Sequence, residues 1–479
     1  MTTATAEPAT AFRQEKDSLG VRNVPADAYY GVQALRGQEN FPISGVTASQ
    51  AYPEAIKAYG WVKKAAAKTN GELGLVPQDK ADAIMKACDE LIAGNFNHDY
   101  IVDVYQGGTG TSHHMNTNEI LANRATELLG GKKGEYLVHA NDHVNYGQST
   151  NDVTPTVMRL TFLSLHGPLV KSLRQFETAL RNKAVQFEHV LIAGRTHMQD
   201  AVPLTLGQQF GAYANAMQDA VDQVEHAQKR LLAIGIGASA LGTGLNTHAR
   251  YRELVTKYLA DFSGFPLVQA RDYFQATSSF GLFSDYAASL RSVAIELEKI
   301  AHDLKLYSSG PRTGIAEINL PSKQPGSSIM PGKINPIYPE LMNQISYIVQ
   351  GNDHTIALCS QNGQWQLNVM MPTILLKMTE SQRILTNSFA VFATECIDGI
   401  TANEAIALDR IDNSCVTLTA LNPHIGYDAA ATIAKKVLSE NKTVREVVLE
   451  LGIKTNKGDV IDAAVLDKIL SVTSMTQPG

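Results

Sequence analysis

Apolar residues recur at steps of three and four over long stretches of this chain. Leu169, Leu173, Phe176, Leu180, Ala184 and Phe187 form one series. Leu206, Phe210, Tyr213, Met217, Val221 and Val224 form a second, and Leu290, Val293, Leu297, Ile300 and Leu304 a third. Each series lays an apolar stripe along one helix face, at a spacing near the heptad that favours shallow crossing angles. Two further helices are expected over 336–350 and 372–396, and shorter ones near 428–440 and 443–451. Sustained strand-type alternation is rare. The pattern predicts a mainly α chain in three domains: a mixed, mostly helical one over 1–151, a central bundle of long helices over 152–400, and a small helical one over 401–479.

Composition narrows the function. The chain has 479 residues, 44% of them hydrophobic, enough for one large core or several smaller ones. Lys and Arg total 41 against 47 Asp and Glu, a formal charge of -6, and no basic stripe suggests nucleic acid. An anionic substrate must therefore be attracted by local residues. Cys88, Cys359, Cys396 and Cys415 lie far apart without metal-type spacing, which suits a reducing cytoplasm. Neither a secretory signal nor a membrane-spanning apolar run is read, so a cytoplasmic protein without membrane or nucleic-acid partners is expected.

The chemistry concentrates in loops. Gly326-Ser327-Ser328-Ile329-Met330-Pro331-Gly332-Lys333-Ile334-Asn335-Pro336 sets two hydroxyls, an ammonium and a carboxamide between Pro-Gly breaks, within a loop over 321–336. Such a loop can close over a small anion and strengthen every polar contact by expelling water. Three more segments are polar where a core would not want them: 108–119, 139–152 and 194–203. Each leads into a helix, where free N–H groups favour anions, although Ser, Thr, Asn and Asp there also serve as ordinary N-caps. Together they offer many neutral donors and few carboxylates.

Other patterns lead away from metals and nucleotides. His113 and His114 are adjacent, so their side chains diverge. His139 and His143 have a zinc-like spacing, but no Glu follows as in a His-Glu-x-x-His motif. Gly235-x-Gly237 and Gly242-x-Gly244 lack a surrounding parallel-sheet unit and are read as helix breaks. No metal site and no cofactor is expected; activation by a divalent cation is left open.

On the Gly-Ser-Ser-x-Met-Pro-x-Lys-x-Asn run at 326–335, with the Gly-Thr-Ser, Ser-Thr-Asn-Asp and Gly-Arg-Thr-His segments, the chain resembles the fumarase/aspartase superfamily from about residue 18 to 475. The resemblance implies a homotetramer whose central helices form a twenty-helix core, with each active site built from three subunits. It also implies abstraction of a proton beside a carboxylate of a small dicarboxylate, giving an aci-carboxylate. Thr111, Ser149, Thr150, Ser328, Lys333 and Asn335 would surround the two carboxylates. Ser327 would be the base, while His197, with Thr196 and Asn151, would contact the departing group and Glu340 would pair with His197. Residues 139–143 resemble a second dicarboxylate-binding region of fumarases.

Details separate the branches. Ser112 after Thr111, Thr150 in its Ser-Thr-Asn-Asp position, and 443–450 resemble aspartases. Asn422-Pro-His-Ile-Gly-Tyr-Asp428 and Pro331-Gly332-Lys333 are closer to fumarases, and His113-His114 departs from both. The aspartase branch is preferred: a carbon–nitrogen lyase carrying out reversible anti-elimination of ammonia from L-aspartate to give fumarate. The alternative is a class II fumarate hydratase or a related dicarboxylate lyase.

Overall fold

The computed structural model describes residues 11–477, and these are mostly helical. Five long helices dominate: Thr150–Gln186, Leu206–Gln228, Gly281–Tyr307, Ile337–Ser360 and Met371–Glu395. The apolar stripes fall on these helices as expected, and Leu173, Phe176, Leu180, Phe210, Met217, Leu290 and Leu297 are all buried. The fourth helix runs ten residues past its expected end at 350. Gly351 suggests a stop, but Val349 and Ile356 are buried on either side of it. Asn352 also donates to Glu380 and Ser381, both at 3.1 Å, so tertiary packing overrides the glycine's cost.

The chain forms two compact units, with every boundary inside one of the long helices. Of the described residues, the first contains 11–170, 222–292 and 347–386; the second contains 171–221, 293–346 and 387–477.

In the first unit, an antiparallel hairpin (Phe12–Asp17 with Gly20–Pro25) precedes the helices Pro53–Glu72, Gln78–Ile92 and Thr111–Leu128. Gly60 permits the first two helices to approach closely, since a Cβ there would lie 2.6 Å from the Ile92 side chain. Phe283 meets Phe162 and Phe280 edge-on, with centroids 5.7 and 5.2 Å apart. Gln382 crosses this core by donating to the Phe162 carbonyl and the Tyr286 hydroxyl.

In the second unit, Phe176 packs between Phe389 and Phe392. Ser346 donates to the Ala294 carbonyl at 2.8 Å. Its C-terminal part has its own core of Leu421, Ile433, Val447, Val448 and Leu466. The helix Val444–Leu451 begins with a capping box in which Thr443 and Glu446 satisfy each other's backbone N–H. Among the described residues, no helix is long and apolar enough to cross a membrane.

Candidate functional site

The first unit gathers four of the expected site residues around two helix starts. Thr111 opens the helix Thr111–Leu128, with its hydroxyl bonded to the Gly108 carbonyl. Ser149 and Thr150 begin the helix Thr150–Gln186, where Ser149 Oγ accepts from the Asn151 N–H at 3.2 Å. Asn151 donates to the Ala240 carbonyl at 2.7 Å, and Thr109 links the two regions by donating to Asn151 at 3.4 Å.

Asp152 fixes this corner from beneath. Its carboxylate accepts the N–H groups of Ser149, Gly237 and Ser239, each at 2.9 Å. Burial raises its pKa to about 6 against the opposing pull of those three N–H groups. Gly237 and Gly242, expected to break a helix, instead lie in the loop between helices. Gly237 has φ 90°, and a Cβ would strike Arg252, so glycine is required where the backbone turns to present its N–H to Asp152.

Two groups that the sequence reading left without a role lie under Thr150. Lys63 is fully buried and reaches His114 Nε2 at 2.6 Å, and Asn145 Oδ1 and Gln148 Oε1 at 2.9 Å each. His114 Nδ1 is 2.8 Å from the Thr150 hydroxyl. Burial pulls the Lys63 pKa down to about 7, and holds His114 well below the usual histidine range. Three acceptors match the three donors of an ammonium. The available signal was a lysine at position 63, in phase with Tyr59, Ala66 and Ala67 on the buried face of its helix.

His113 does diverge from His114, facing Tyr52 and the Val102 carbonyl. His143 Nδ1 accepts the backbone N–H of His139, and His139 Nδ1 accepts that of Asp142. The two rings therefore serve their own turn rather than a shared ion, and no metal-type cluster occurs among the described residues.

The second unit carries the remaining site residues, all but Glu340 on two projections. Thr196 and His197 are at the tip of the hairpin Leu191–Thr196 with Gln199–Thr205. His197 and Met198 have φ 55° and 62°, as in a two-residue turn with both residues left-handed. One pair below this tip, Arg195 makes a bidentate pair with Glu317 at 2.7 and 3.0 Å, and Glu317 is 0% exposed.

The second projection is the loop containing Ser327, Ser328, Lys333 and Asn335. Gly326 N–H bonds the Lys333 carbonyl at 2.8 Å, and Asn335 donates back to the Gly326 carbonyl at 2.7 Å, closing the loop at its neck. Inside it, Ser327 Oγ accepts two backbone N–H groups, from Ile329 at 3.2 Å and Met330 at 3.0 Å. Lys333 and Ser328 are exposed, and Ile329 is 84% exposed at the crown. Glu340, in the first turn of Ile337–Ser360, is exposed, and among the described residues it makes no ion pair with His197. Among the described residues, no hydrogen bond joins the hairpin tip to the loop. The candidate residues thus fall in one group in the first unit and two in the second.

Comparison with known proteins gives the family. The family described as Lyase matches residues 20–351, and Fumarase C C-terminus matches 418–477. An aspartate ammonia-lyase of Bacillus sp is 44% identical over 98% of both chains. One of Pseudomonas fluorescens is 46% identical over 98% of this chain and 97% of its own. A crystal structure of a fumarate lyase:delta crystallin from Brucella melitensis, bound to cobalt, superposes with TM-score 0.93 at 42% identity, covering 98% of this chain and all of the other. The chain is a member of the fumarase/aspartase superfamily of lyases.

Proposed function

We propose that this chain eliminates ammonia from L-aspartate, reversibly, to give fumarate. The observation that carries the reading is the 44–46% identity, along 98% of the chain, to proteins named aspartate ammonia-lyase. The loop geometry supports the chemistry. Proton removal beside a carboxylate places a second negative charge on a group already charged, so the site must favour that aci-carboxylate over the ground state. Ser327 is assigned as the base. Two backbone N–H groups already converge on its oxygen and would stabilise the alkoxide form.

In this reading the Ser327 oxygen, as alkoxide, takes the proton, the C–H electrons pass into the carboxylate, and their return breaks the C–N bond so that the substrate's ammonium group leaves as neutral ammonia. Lys333, Asn335, Ser328, Thr111, Ser149 and Thr150 hold the two carboxylates, with Lys333 supplying the full positive charge. Thr196, His197 and Asn151 face the leaving nitrogen, and Glu340 of a neighbouring chain orients His197. The three clusters come together from three subunits of a homotetramer. No cofactor or resident metal takes part.

The test is direct: purified protein is incubated with L-aspartate or with L-malate while fumarate absorbance is followed. Fumarate from aspartate is expected. Fumarate from malate alone would move the chain to the hydratase branch.

A further inference from the structure

A cavity of about 290 Å³ opens in the first unit, lined by the helix Thr150–Gln186 at Arg159, by the segment around Arg230, and by residues 270–282. Arg159 is 2% exposed. Its Nη1 donates to the Pro155 carbonyl at 2.9 Å and its guanidinium lies over the Phe283 ring at 5.1 Å. Its Nε is buried without a partner, and no carboxylate pairs with it among the described residues. The other charges of the cavity do not neutralise it. Arg230 is paired with Asp285, Arg271 is exposed, and the Asp272 carboxylate caps the next helix through the Gln275 N–H at 2.9 Å. Burial alone, with no carboxylate to offset it, pulls the Arg159 pKa down to about 10.

A guanidinium has five N–H donors in a planar fork shaped for an oxyanion. A carbonyl bond and a contact with an aromatic face do not replace the hydration that such a cation loses on burial. We infer that this cavity binds a small oxyanion, a carboxylate or phosphate, with Arg159 as its floor, Arg271 at its rim, and Gln275 and Ser279 as neutral donors. It involves none of the residues assigned to aspartate and does not depend on that assignment.

Isothermal titration of the full-length protein with inorganic phosphate, and separately with succinate, tests the proposal on wild type, Arg271→Ala and Arg159→Gln. Binding that weakens about tenfold in Arg271→Ala, as for one lost charge-assisted contact, and disappears in Arg159→Gln is expected. If phosphate alone responds in this way the site takes phosphate; if succinate alone does, it takes carboxylates. Should Arg159→Gln fail to fold, the exposed Arg271→Ala decides. Neither anion binding, or binding equally strong in every folded variant, would overturn the inference. Succinate heat that survives both substitutions belongs to the substrate site, and the phosphate titration then decides.

Discussion

Lys63 Nζ lies 2.6 Å from His114 Nε2, and through that ring it sets the direction of the Thr150 hydroxyl. As an ammonium, Lys63 donates to Nε2, so the ring proton sits on Nδ1 and is given to the Thr150 oxygen. The hydrogen of Thr150 is then free to point at an anion. His114→Phe removes this constraint while filling the space. KM for aspartate is expected to rise about tenfold, the cost of one misdirected charge-assisted bond, with a smaller change in kcat. Unchanged KM with reduced kcat would contradict this role.

The same lysine predicts a pH dependence of stability. Its pKa is about 7 in the folded chain, set first by burial, and about 10.4 when unfolded. Between these values the unfolded state binds the extra proton, so stability rises with pH, by up to about 1.4 kcal/mol per unit. Below pH 7 both states are protonated and the slope vanishes. Asp152, raised to about 6, acts with the opposite sign and only from about pH 4 to 6, where the folded state holds the extra proton. Urea unfolding at pH 7 and 9 should show this gain in wild type and lose it in Lys63→Met.

The neck of the loop gives a sharper test than its catalytic residues. A Cβ on Gly326 would lie 2.4 Å from the Lys333 carbonyl and 2.8 Å from the Asn335 N–H. Neither backbone can yield without opening the hydrogen bonds that close the loop. Gly326→Ala should therefore lower kcat by roughly the same 10²–10⁴ that removing the base costs in Ser327→Ala. Thermal stability should hardly change, because the loop is exposed. Near-normal turnover in Ser327→Ala would remove that serine as the base.

Arg195, next to the tip of the hairpin that presents His197, makes a bidentate pair with the buried Glu317. Removing one partner leaves the other charge uncompensated. Arg195→Met should destabilise the protein by about 3–5 kcal/mol, and the double variant with Glu317→Leu should recover most of that loss. Denaturant midpoints of the two singles and the double measure the coupling. Additive losses would mean that the pair does not anchor the hairpin.

The long helices were legible because periodicity records burial, and Phe176 or Leu297 inside a core leaves a three-and-four rhythm in the chain. The loop at 326–335 was legible because its residue types have few other reasons to occur together. Lys63 and His114 were not, since a lysine next to Lys64 in an amphipathic helix reads as solvated surface, and only the fold places it beneath a helix start 87 residues later. Asp152 read as an N-cap of its own helix. Its N–H donors at 237 and 239 come from a glycine-rich loop whose spacing carries no local signal. The extension of Ile337–Ser360 past Gly351 was hidden for the same reason, as Asn352 finds its partners at 380 and 381.

Thr150 and Ser327 belong to different clusters, and the proposed tetramer draws them from different chains. That makes a mixing experiment decisive. Thr150→Val alone removes a carboxylate donor at every site, and Ser327→Ala alone removes every base, so each homotetramer should be nearly inactive. In tetramers reassembled from an equal mixture, each site takes its 150 region and its 327 region independently. About one site in four then receives both intact, so activity should recover to about a quarter of wild type. If one chain supplied both residues, every site would contain one defect in any mixture, and remixing would restore nothing. Sedimentation of the mixture shows whether hybrids have formed, so failed exchange is distinguishable from a site contained in one chain.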